Sequence, residues 1–236
     1  MARRETAGEL YVVAGPIGHL EDITYRAVRT LAEADIVAAE DTRRARKLLS
    51  RYEIETRLIS CHEHNERKRI AEITRLILDG ADAALLSDAG TPVISDPGYR
   101  LIRAAVERGI QVTPIPGPCA AVAAASAAGL PVSDFYFAGF CSPKQGRRQR
   151  RLRELADLNA VLIFYESPHR LMKFLNDALD IFGNRNAVIA REMTKMHEEF
   201  LRGTLDELRA AFQNRTPKGE FTILIEGNHE RNATSD

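Results

Sequence analysis

The residues best suited to chemistry form a loop between a predicted strand and a predicted helix. Residues 87–98 read SDAGTPVISDPG, after the apolar run 83–86 and before a helical pattern over residues 99–108. In α/β proteins such a loop lies at the carboxyl end of a strand, where glycine and proline let the backbone approach a ligand closely. It has neither the spaced glycines of a dinucleotide fingerprint nor the Gly-Lys-Ser/Thr sequence of a P-loop. The loop therefore predicts a small-molecule site without a phosphate clamp.

Three further loops also follow short apolar runs that read as strands. They are residues 15–18 (GPIG), 40–43 (EDTR) and 116–119 (PGPC). In a parallel sheet the carboxyl ends of the strands share one edge, so these loops and residues 87–98 are expected to converge on one crevice. The simpler interpretation is that each loop is only a turn. Four such loops at one edge favour a ligand site built mainly from backbone.

A pair of histidines and a cysteine are weak candidates for a metal site and for a catalytic nucleophile. His62 and His64 flank Glu63, but two histidines two residues apart need a third ligand, and none can be identified. No metal site is therefore predicted. Cys119 has no histidine near it in sequence, so we interpret it as a small packing residue rather than a nucleophile.

The elements that position these loops indicate two domains in an α/β chain of 236 residues, 44% of them hydrophobic. Strand and helix patterns alternate over residues 1–131, which predicts a mainly parallel sheet with helices on both faces. An aromatic strand at residues 135–140 opens a second α/β domain over residues 132–227, and residues 228–236 are expected to be a disordered tail. We expect Asp22 to cap the first helix, Ser167-Pro168 to begin a later one, and Thr204 with Glu207 to form a capping box.

Composition excludes several protein classes. Lys plus Arg equals Asp plus Glu, at 33 each, so no global field indicates a nucleic-acid partner. The three cysteines have no C-x-x-C spacing, which argues against disulfides and structural zinc and fits a reducing cytosol. The polar N-terminus leaves no room for a signal-peptide core, and the alanine-rich stretch 119–128 is too short to span a bilayer. We expect a soluble cytoplasmic protein without a membrane partner.

Several motifs together give the chain a specific resemblance. Besides the loops above, these are HEHNE at 62–66, FYESPHR at 164–170 and KGEF at 218–221. The chain resembles the bacterial 16S ribosomal RNA 2′-O-methyltransferases that modify a decoding-centre cytidine, a family of the tetrapyrrole methylase superfamily, from about residue 8 to residue 227. The resemblance implies two class III α/β domains with S-adenosylmethionine in the cleft between them. It also implies a homodimer that methylates a ribose 2′-hydroxyl, with 16S ribosomal RNA in the assembled small subunit as the partner.

The resemblance also implies a set of cofactor contacts. A cationic sulfonium beside an adenine needs an apolar cradle, a few backbone hydrogen bonds and close main-chain approach, and small or Gly/Pro positions allow these. The residues carried over are Pro16, Ile17, Asp88, Gly90, Thr91, Ile94, Pro118, Cys119, Ala120, Tyr165, Glu166, Ala190 and Thr222.

A run of basic residues lies between residues 144 and 153. We interpret Lys144, Arg147, Arg148, Arg150 and Arg151 as RNA phosphate contacts, and the family resemblance favours this over a solvated helix face. Arg43 belongs to a weaker second cluster.

Transfer to a hydroxyl requires a group that accepts its proton. The candidates are Glu40, Asp41, Glu166, Lys218 and Glu220, and the sequence does not choose among them. Structural alternatives are equally concrete, because Asp41 could cap a helix and Lys218 with Glu220 could brace a hairpin.

Two other functions remain as alternatives. One is a methylase of a tetrapyrrole or other small molecule, which would share the cofactor loops. The basic run and the FYESPHR stretch discriminate against it. The other is a catalytically inactive ribosome-associated binding protein, and the intact 87–98 loop counts against that.

Overall fold

The computed structural model describes residues 7–62 and 65–228. The chain divides into two compact units, Met1–Cys119 and Ala120–Asp236. The predicted tail beyond residue 228 and the histidine at position 64 lie outside the described residues. In the part of the chain that is described, no helix is long and apolar enough to cross a membrane.

The first unit contains a five-stranded sheet in the order β3-β2-β4-β1-β5, and every neighbouring pair of strands is parallel. The predicted parallel sheet is thus confirmed. Its elements are β1 (Glu9–Val13), α1 (Tyr25–Glu33), β2 (Ile36–Ala39), α2 (Thr42–Arg51), β3 (Arg57–Ser60), α3 (Glu66–Leu78), β4 (Ala83–Leu86), α4 (Tyr99–Glu107) and β5 (Gln111–Ile115).

Helices cover both faces of this sheet, because its central strands are apolar at every position. The strands β2 and β4 are buried throughout. Helices α1 and α2 pack on the face that carries Val37 and Leu86, whereas α3 and α4 pack on the face that carries Ala38 and Leu85. With both faces covered, only the carboxyl and amino edges of the sheet remain for a ligand.

The second unit contains a mixed sheet in the order β6-β7-β10-β8-β9, in which only β6 and β7 are parallel. Three helices, α6, α7 and α8, cover the face that carries Phe164 and Ile223. The elements are α5 (Ala120–Ala128), β6 (Phe135–Phe140), α6 (Gln145–Leu155), β7 (Val161–Glu166), α7 (Leu171–Phe182), β8 (Asn186–Arg191), β9 (Glu199–Thr204), α8 (Leu205–Gln213) and β10 (Phe221–Ile225).

The division between the units precedes α5, whereas the sequence placed it after residue 131. Helix α5 packs against β10. The backbone N–H of Ala121 donates to the hydroxyl of Tyr165 at 3.0 Å. At the other end of the helix, the Arg202 guanidinium donates to the carbonyls of Ala127 and Ala128. These contacts assign α5 to the second unit.

Helix starts follow the sequence only in part. The capping box of Thr204 and Glu207 is confirmed, with both reciprocal hydrogen bonds present. The expectation for Asp22 is wrong, because residues 20–22 form a short 3-10 turn and the hydroxyl of Thr24 accepts from the N–H of Ala27 at the start of α1. Similarly, α7 begins three residues after Pro168, because residues 167–170 form a turn before it.

Candidate active site

Three of the predicted site loops meet at the carboxyl edge of the first sheet. The N–H of Gly15 donates to the carbonyl of Gly90 at 2.9 Å, and the N–H of Gly90 donates to the carbonyl of Pro16 at 3.3 Å. The hydroxyl of Thr91 donates to the carbonyl of Pro118 at 3.1 Å. Loops that follow β1, β4 and β5 are therefore joined through backbone groups, as their positions after parallel strands predict.

The fourth loop joins the same cluster through Asp88. Its carboxylate accepts a hydrogen bond from the N–H of Asp41 at 3.0 Å, which ties the loop after β2 to the loop after β4. The guanidinium of Arg44 lies 3.7 Å from the other carboxylate oxygen. Asp88, predicted as a cofactor residue, thus also holds two site loops together.

The loop over residues 87–98 has a strained backbone that few other sequences would adopt. Gly90 has φ +71°, and a Cβ at this position would lie 3.1 Å from Ile17 Cγ2 and 3.3 Å from the carbonyl oxygen of Pro118. Val93 and Ser95 also have positive φ, at 74° and 66°, although neither is glycine. A β-branched residue in this region costs free energy, and such residues cluster at ligand sites.

Carboxyl groups that repel one another lie at this edge. Partial burial and the neighbouring Asp88 raise the pKa of Glu40. Burial and the charges of Glu40 and Asp88 raise the pKa of Asp96 to about 6. A positively charged ligand would relieve this repulsion. Sequence reasoning missed Asp96, although an Asp-Pro pair in the same Gly/Pro-rich loop was a usable signal.

Glu40 also lines a small cavity of about 10 Å³, room for one water molecule, together with His62 and Glu66. Within residues 7–62 and 65–228, no group of three His, Cys, Asp or Glu side chains could hold a metal ion.

Asp41 has a structural role that disfavours it as a proton acceptor. Its carboxylate caps α2 by accepting from the N–H of Arg43 at 2.8 Å, and it also pairs with the Arg43 guanidinium. These hydrogen bonds from Arg43 lower the pKa of Asp41 to about 2. A carboxylate with so low a pKa is a weak base, so the capping interpretation holds for Asp41.

In the second unit, three predicted cofactor residues form one row across the sheet. Thr222 on β10 is paired with Tyr165 on β7 and with Ala190 on β8. Partners in register present their side chains to the same face, and this is the face on which the Tyr165 hydroxyl contacts α5. The sequence separated these residues by dozens of positions, and the register brings them together.

Glu166 points the other way, which corrects its prediction as a catalytic or cofactor side chain. Strand alternation places it with Leu162 and Phe164 on the face covered by α6 and α7. It is 2% exposed, and its carboxylate lies 3.0 Å from the Arg170 guanidinium. Burial raises the pKa of Glu166. Its side chain therefore acts inside the second unit.

Lys218 and Glu220 lie in the exposed turn before β10. Glu220 pairs with Lys195 at 2.9 Å, and the same ammonium group pairs with Glu192 at 2.9 Å. The carbonyl of Lys218 accepts from Arg191 Nε at 2.7 Å. These contacts support the bracing interpretation for this turn.

The basic run forms α6 and the residue before it, and one of its members is misassigned. Arg148 is 2% exposed and donates from Nε and Nη2 to Asp177 Oδ2 at 2.6 Å, so it cannot contact RNA phosphates as predicted. Lys144, Arg147 and Arg150 are exposed. The other two predicted phosphate contacts have partners, because Arg151 pairs with Glu154 and the exposed Arg43 pairs with Asp41.

Comparison with known proteins gives this arrangement a family context. A family model described as Tetrapyrrole (Corrin/Porphyrin) Methylases matches residues 9–209. A protein of Halalkalibacterium halodurans named ribosomal RNA small subunit methyltransferase I is 51% identical over 229 residues, which cover 97% of this chain and 79% of that protein. A protein of the same name from Thermotoga maritima is 48% identical and matches 93% of this chain and 99% of its own length.

Solved structures share the fold at lower identity. Uroporphyrin-III C-methyltransferase from Thermus thermophilus, in complex with S-adenosyl homocysteine, superposes with a TM-score of 0.65 at 19% identity and covers 94% of this chain and 98% of its own. Cobalt precorrin-4 methyltransferase gives a TM-score of 0.70 at 17% identity, over 92% of this chain and 94% of its own. Both neighbours are methyltransferases, and the superpositions show that this chain shares their fold.

Proposed function

Because this chain belongs to the tetrapyrrole methylase family, we propose that it transfers a methyl group from S-adenosylmethionine to the ribose 2′-oxygen of a cytidine in the decoding region of 16S ribosomal RNA. The observation that carries this proposal is the 51% identity, over 97% of the chain, to a protein named for small-subunit ribosomal RNA methylation. Such identity extends through both units. It favours ribosomal RNA over a tetrapyrrole, whose methylases match at 17–21% identity.

The loops of the first unit fit a compact, cationic cofactor. Their backbone groups approach closely at Gly90, and the carboxylates of Asp88, Glu40 and Asp96 favour positive charge. Bound S-adenosylmethionine supplies an electrophilic methyl group on a positively charged sulfur. In the first unit we assign its binding to Pro16, Ile17, Asp88, Gly90, Thr91, Ile94, Pro118 and Cys119, and in the second to Ala120, Tyr165, Ala190 and Thr222.

The proton of the ribose hydroxyl needs an acceptor with a pKa near neutrality. Among the candidates from sequence, Glu40 alone lies at the site edge and has a raised pKa. Its side chain neither caps a helix, as Asp41 does, nor belongs to a buried ion pair, as Glu166 does. Asp96 shares its charge environment. We assign proton acceptance to this pair: whichever of Glu40 and Asp96 is ionised accepts the proton.

The exposed cations of the second unit are assigned to the RNA backbone. Lys144 lies just before α6, Arg147 and Arg150 lie on it, and each contact with a phosphate adds affinity that salt weakens. The reaction would occur in the cytoplasm on the assembled small subunit. The family resemblance further leads us to propose a homodimer, which sedimentation analysis would test.

The test is transfer of labelled methyl from S-adenosylmethionine to purified small subunits that lack this modification. Free 16S ribosomal RNA and a tetrapyrrole precursor are offered in parallel under identical conditions. Label in the small subunit supports the proposal. Label only in the tetrapyrrole would assign the chain to small-molecule methylation, and cofactor binding without any label would indicate a binding protein.

A further inference from the structure

An irregularity in the edge strand β6 brings two phenylalanines to one face. Phe137 and Phe140 are three residues apart, so a regular strand would place them on opposite faces. The pairing with β7 shifts between Phe137 and Gly139, and Gly139 has φ +64°. This bulge adds one residue and turns Phe140 to the face of Tyr165, its partner in register.

Both rings then pack against Tyr165. The Phe137 centroid lies 4.9 Å from that of Tyr165 at an interplanar angle of 68°, and the Phe140 centroid lies 5.5 Å away at 63°. Phe137 is half-buried by these contacts, whereas Phe140 remains 53% exposed. An exposed aromatic ring therefore ends the row that contains Tyr165, Thr222 and Ala190, the residues assigned to the cofactor.

An ion pair with the buried Glu166 holds the partly exposed Arg170 beside this ring. The Arg170 guanidinium lies 5.7 Å from the Phe140 centroid. It is fixed by the Glu166 carboxylate at 3.0 Å and donates to the carbonyl of Cys141 at 3.2 Å. Glu166 Oε1 is buried and has no hydrogen-bond partner among residues 7–62 and 65–228. The position of Arg170, and with it the surroundings of Phe140, is thus set from inside the unit.

We propose that Phe140 is a stacking platform for an unpaired base of the RNA substrate, next to the ribose that is methylated. This inference rests on the proposed function and names a residue that determines how the substrate is held. Unpaired RNA bases are bound by stacking on aromatic rings and on arginine planes, in grooves whose cations track the backbone. Phe140 supplies the ring, Arg170 the adjacent cation, and the exposed Lys144 and Arg147, which follow Phe140 in the chain, the backbone contacts.

Charge favours RNA over a second copy of the chain at this platform. In a two-fold contact centred on Phe140, each copy would present the same surface, so the chain segments that follow Phe140 would approach each other. These segments carry Lys144 and Arg147 as exposed cations. Like charges at such a contact oppose association, whereas phosphates of RNA complement them.

The experiment compares Phe140→Ala, Phe140→Leu and Phe140→Trp with the wild-type protein. Phe135→Ala is the matched control, because Phe135 is a similarly exposed ring of the same strand, at 46%, and its partner in register is Val161, four residues before Tyr165 on β7. Binding of a short fluorescent single-stranded RNA and of unmodified small subunits is measured over a series of salt concentrations. Cofactor affinity, sedimentation and methyl transfer are measured on the same preparations.

We expect Phe140→Ala and Phe140→Leu to weaken RNA binding by about 5- to 150-fold, the range for loss of one stacked base. The salt dependence should not change, because no phosphate contact is lost, and Phe140→Trp should restore affinity. Cofactor affinity and the Phe135→Ala variant should match the wild type. Unchanged RNA affinity in Phe140→Ala would overturn the inference, and so would a change from dimer to monomer in this variant.

Failure of the proposed function gives a different result from failure of this inference. If the wild-type protein does not methylate small subunits, the proposed function fails whatever Phe140 does. If the wild type methylates them and Phe140→Ala binds and methylates like Phe135→Ala, the stacking platform alone is refuted.

Discussion

Replacing Arg148 by alanine should lower the free energy of unfolding of the second unit without removing an RNA contact. Arg148 is 2% exposed and Asp177 is 4% exposed. Two guanidinium nitrogens lie 2.6 Å from Asp177 Oδ2, and Nη1 donates to the carbonyls of Ser142 and Pro143. Without Arg148 the Asp177 carboxylate would be buried with no cation beside it. Breaking such a pair costs about 3–5 kcal/mol in the free energy of unfolding.

The neighbouring Arg147 provides the control. It is exposed, so Arg147→Ala should change the free energy of unfolding by less than about 0.5 kcal/mol. Urea unfolding, followed by a probe in the second unit, measures both values. A double variant, Arg148→Leu with Asp177→Leu, should recover much of the loss because no buried charge remains.

RNA binding should be weakened by Arg147→Ala and not by Arg148→Ala, the opposite of the order expected for stability. Each lost phosphate contact reduces the salt slope by about 0.7 for single-stranded RNA, so Arg147→Ala should show this reduction. Folded Arg148→Ala should keep the wild-type slope. A structural role for Arg148 is refuted if Arg148→Ala is as stable as Arg147→Ala, or if its folded form loses a phosphate contact.

Two further predictions concern the loop over residues 87–98. Because the pKa of Asp96 is raised to about 6, the folded protein binds this proton more tightly than the unfolded chain, and stability falls as pH rises toward 6. Asp96→Asn should therefore be more stable than the wild type above that pH, by about 1 kcal/mol after allowance for partial exposure, and equally stable below about pH 3, where the Asp96 carboxyl is protonated in both the folded and the unfolded chain. Denaturation of the variant and the wild type at both pH values measures this stability difference. Turnover by Asp96→Asn should also fall. Equal stability of the two proteins at neutral pH would contradict the raised pKa of Asp96. Gly90→Ala should lower cofactor affinity in calorimetry, because its Cβ would press on Ile17 and Pro118. The control Gly129→Ala has a similar φ of +76° and no atom within 4 Å, so it should bind cofactor normally, and equal losses in both variants would rule out the contact as the cause.

Much of the first unit was predictable because local signals agree with the fold. Short apolar runs ended by Gly and Pro gave the parallel strands, and parallel strands require their following loops to share an edge. The strand Ala83–Leu86 has the bounds of the apolar run that predicted it. The role of Asp41 as a cap was among the stated alternatives, and its geometry decides for it.

The predictions that failed in the second unit did so for physical reasons, and for Arg148 and Glu166 the sequence pattern indicated the burial that was overlooked. Arg148 lies four and seven residues before Leu152 and Leu155, the spacing of one buried helix face, so its burial could have been anticipated. Glu166 lies two and four residues after Phe164 and Leu162, so strand alternation places all three side chains on the core face. The bulge that turns Phe140 toward Tyr165 depends on pairing between strands, and residue types alone do not show it.

The position of the transferred methyl group tests the central claim most directly. Small subunits methylated by this protein are digested with alkali, which requires a free ribose 2′-hydroxyl to cleave the chain. A 2′-O-methylated cytidine protects its phosphodiester bond, so the account predicts the label in one alkali-resistant dinucleotide that begins with cytidine. Label released as a base-methylated mononucleotide, or label absent from subunits while a tetrapyrrole is methylated, would contradict it.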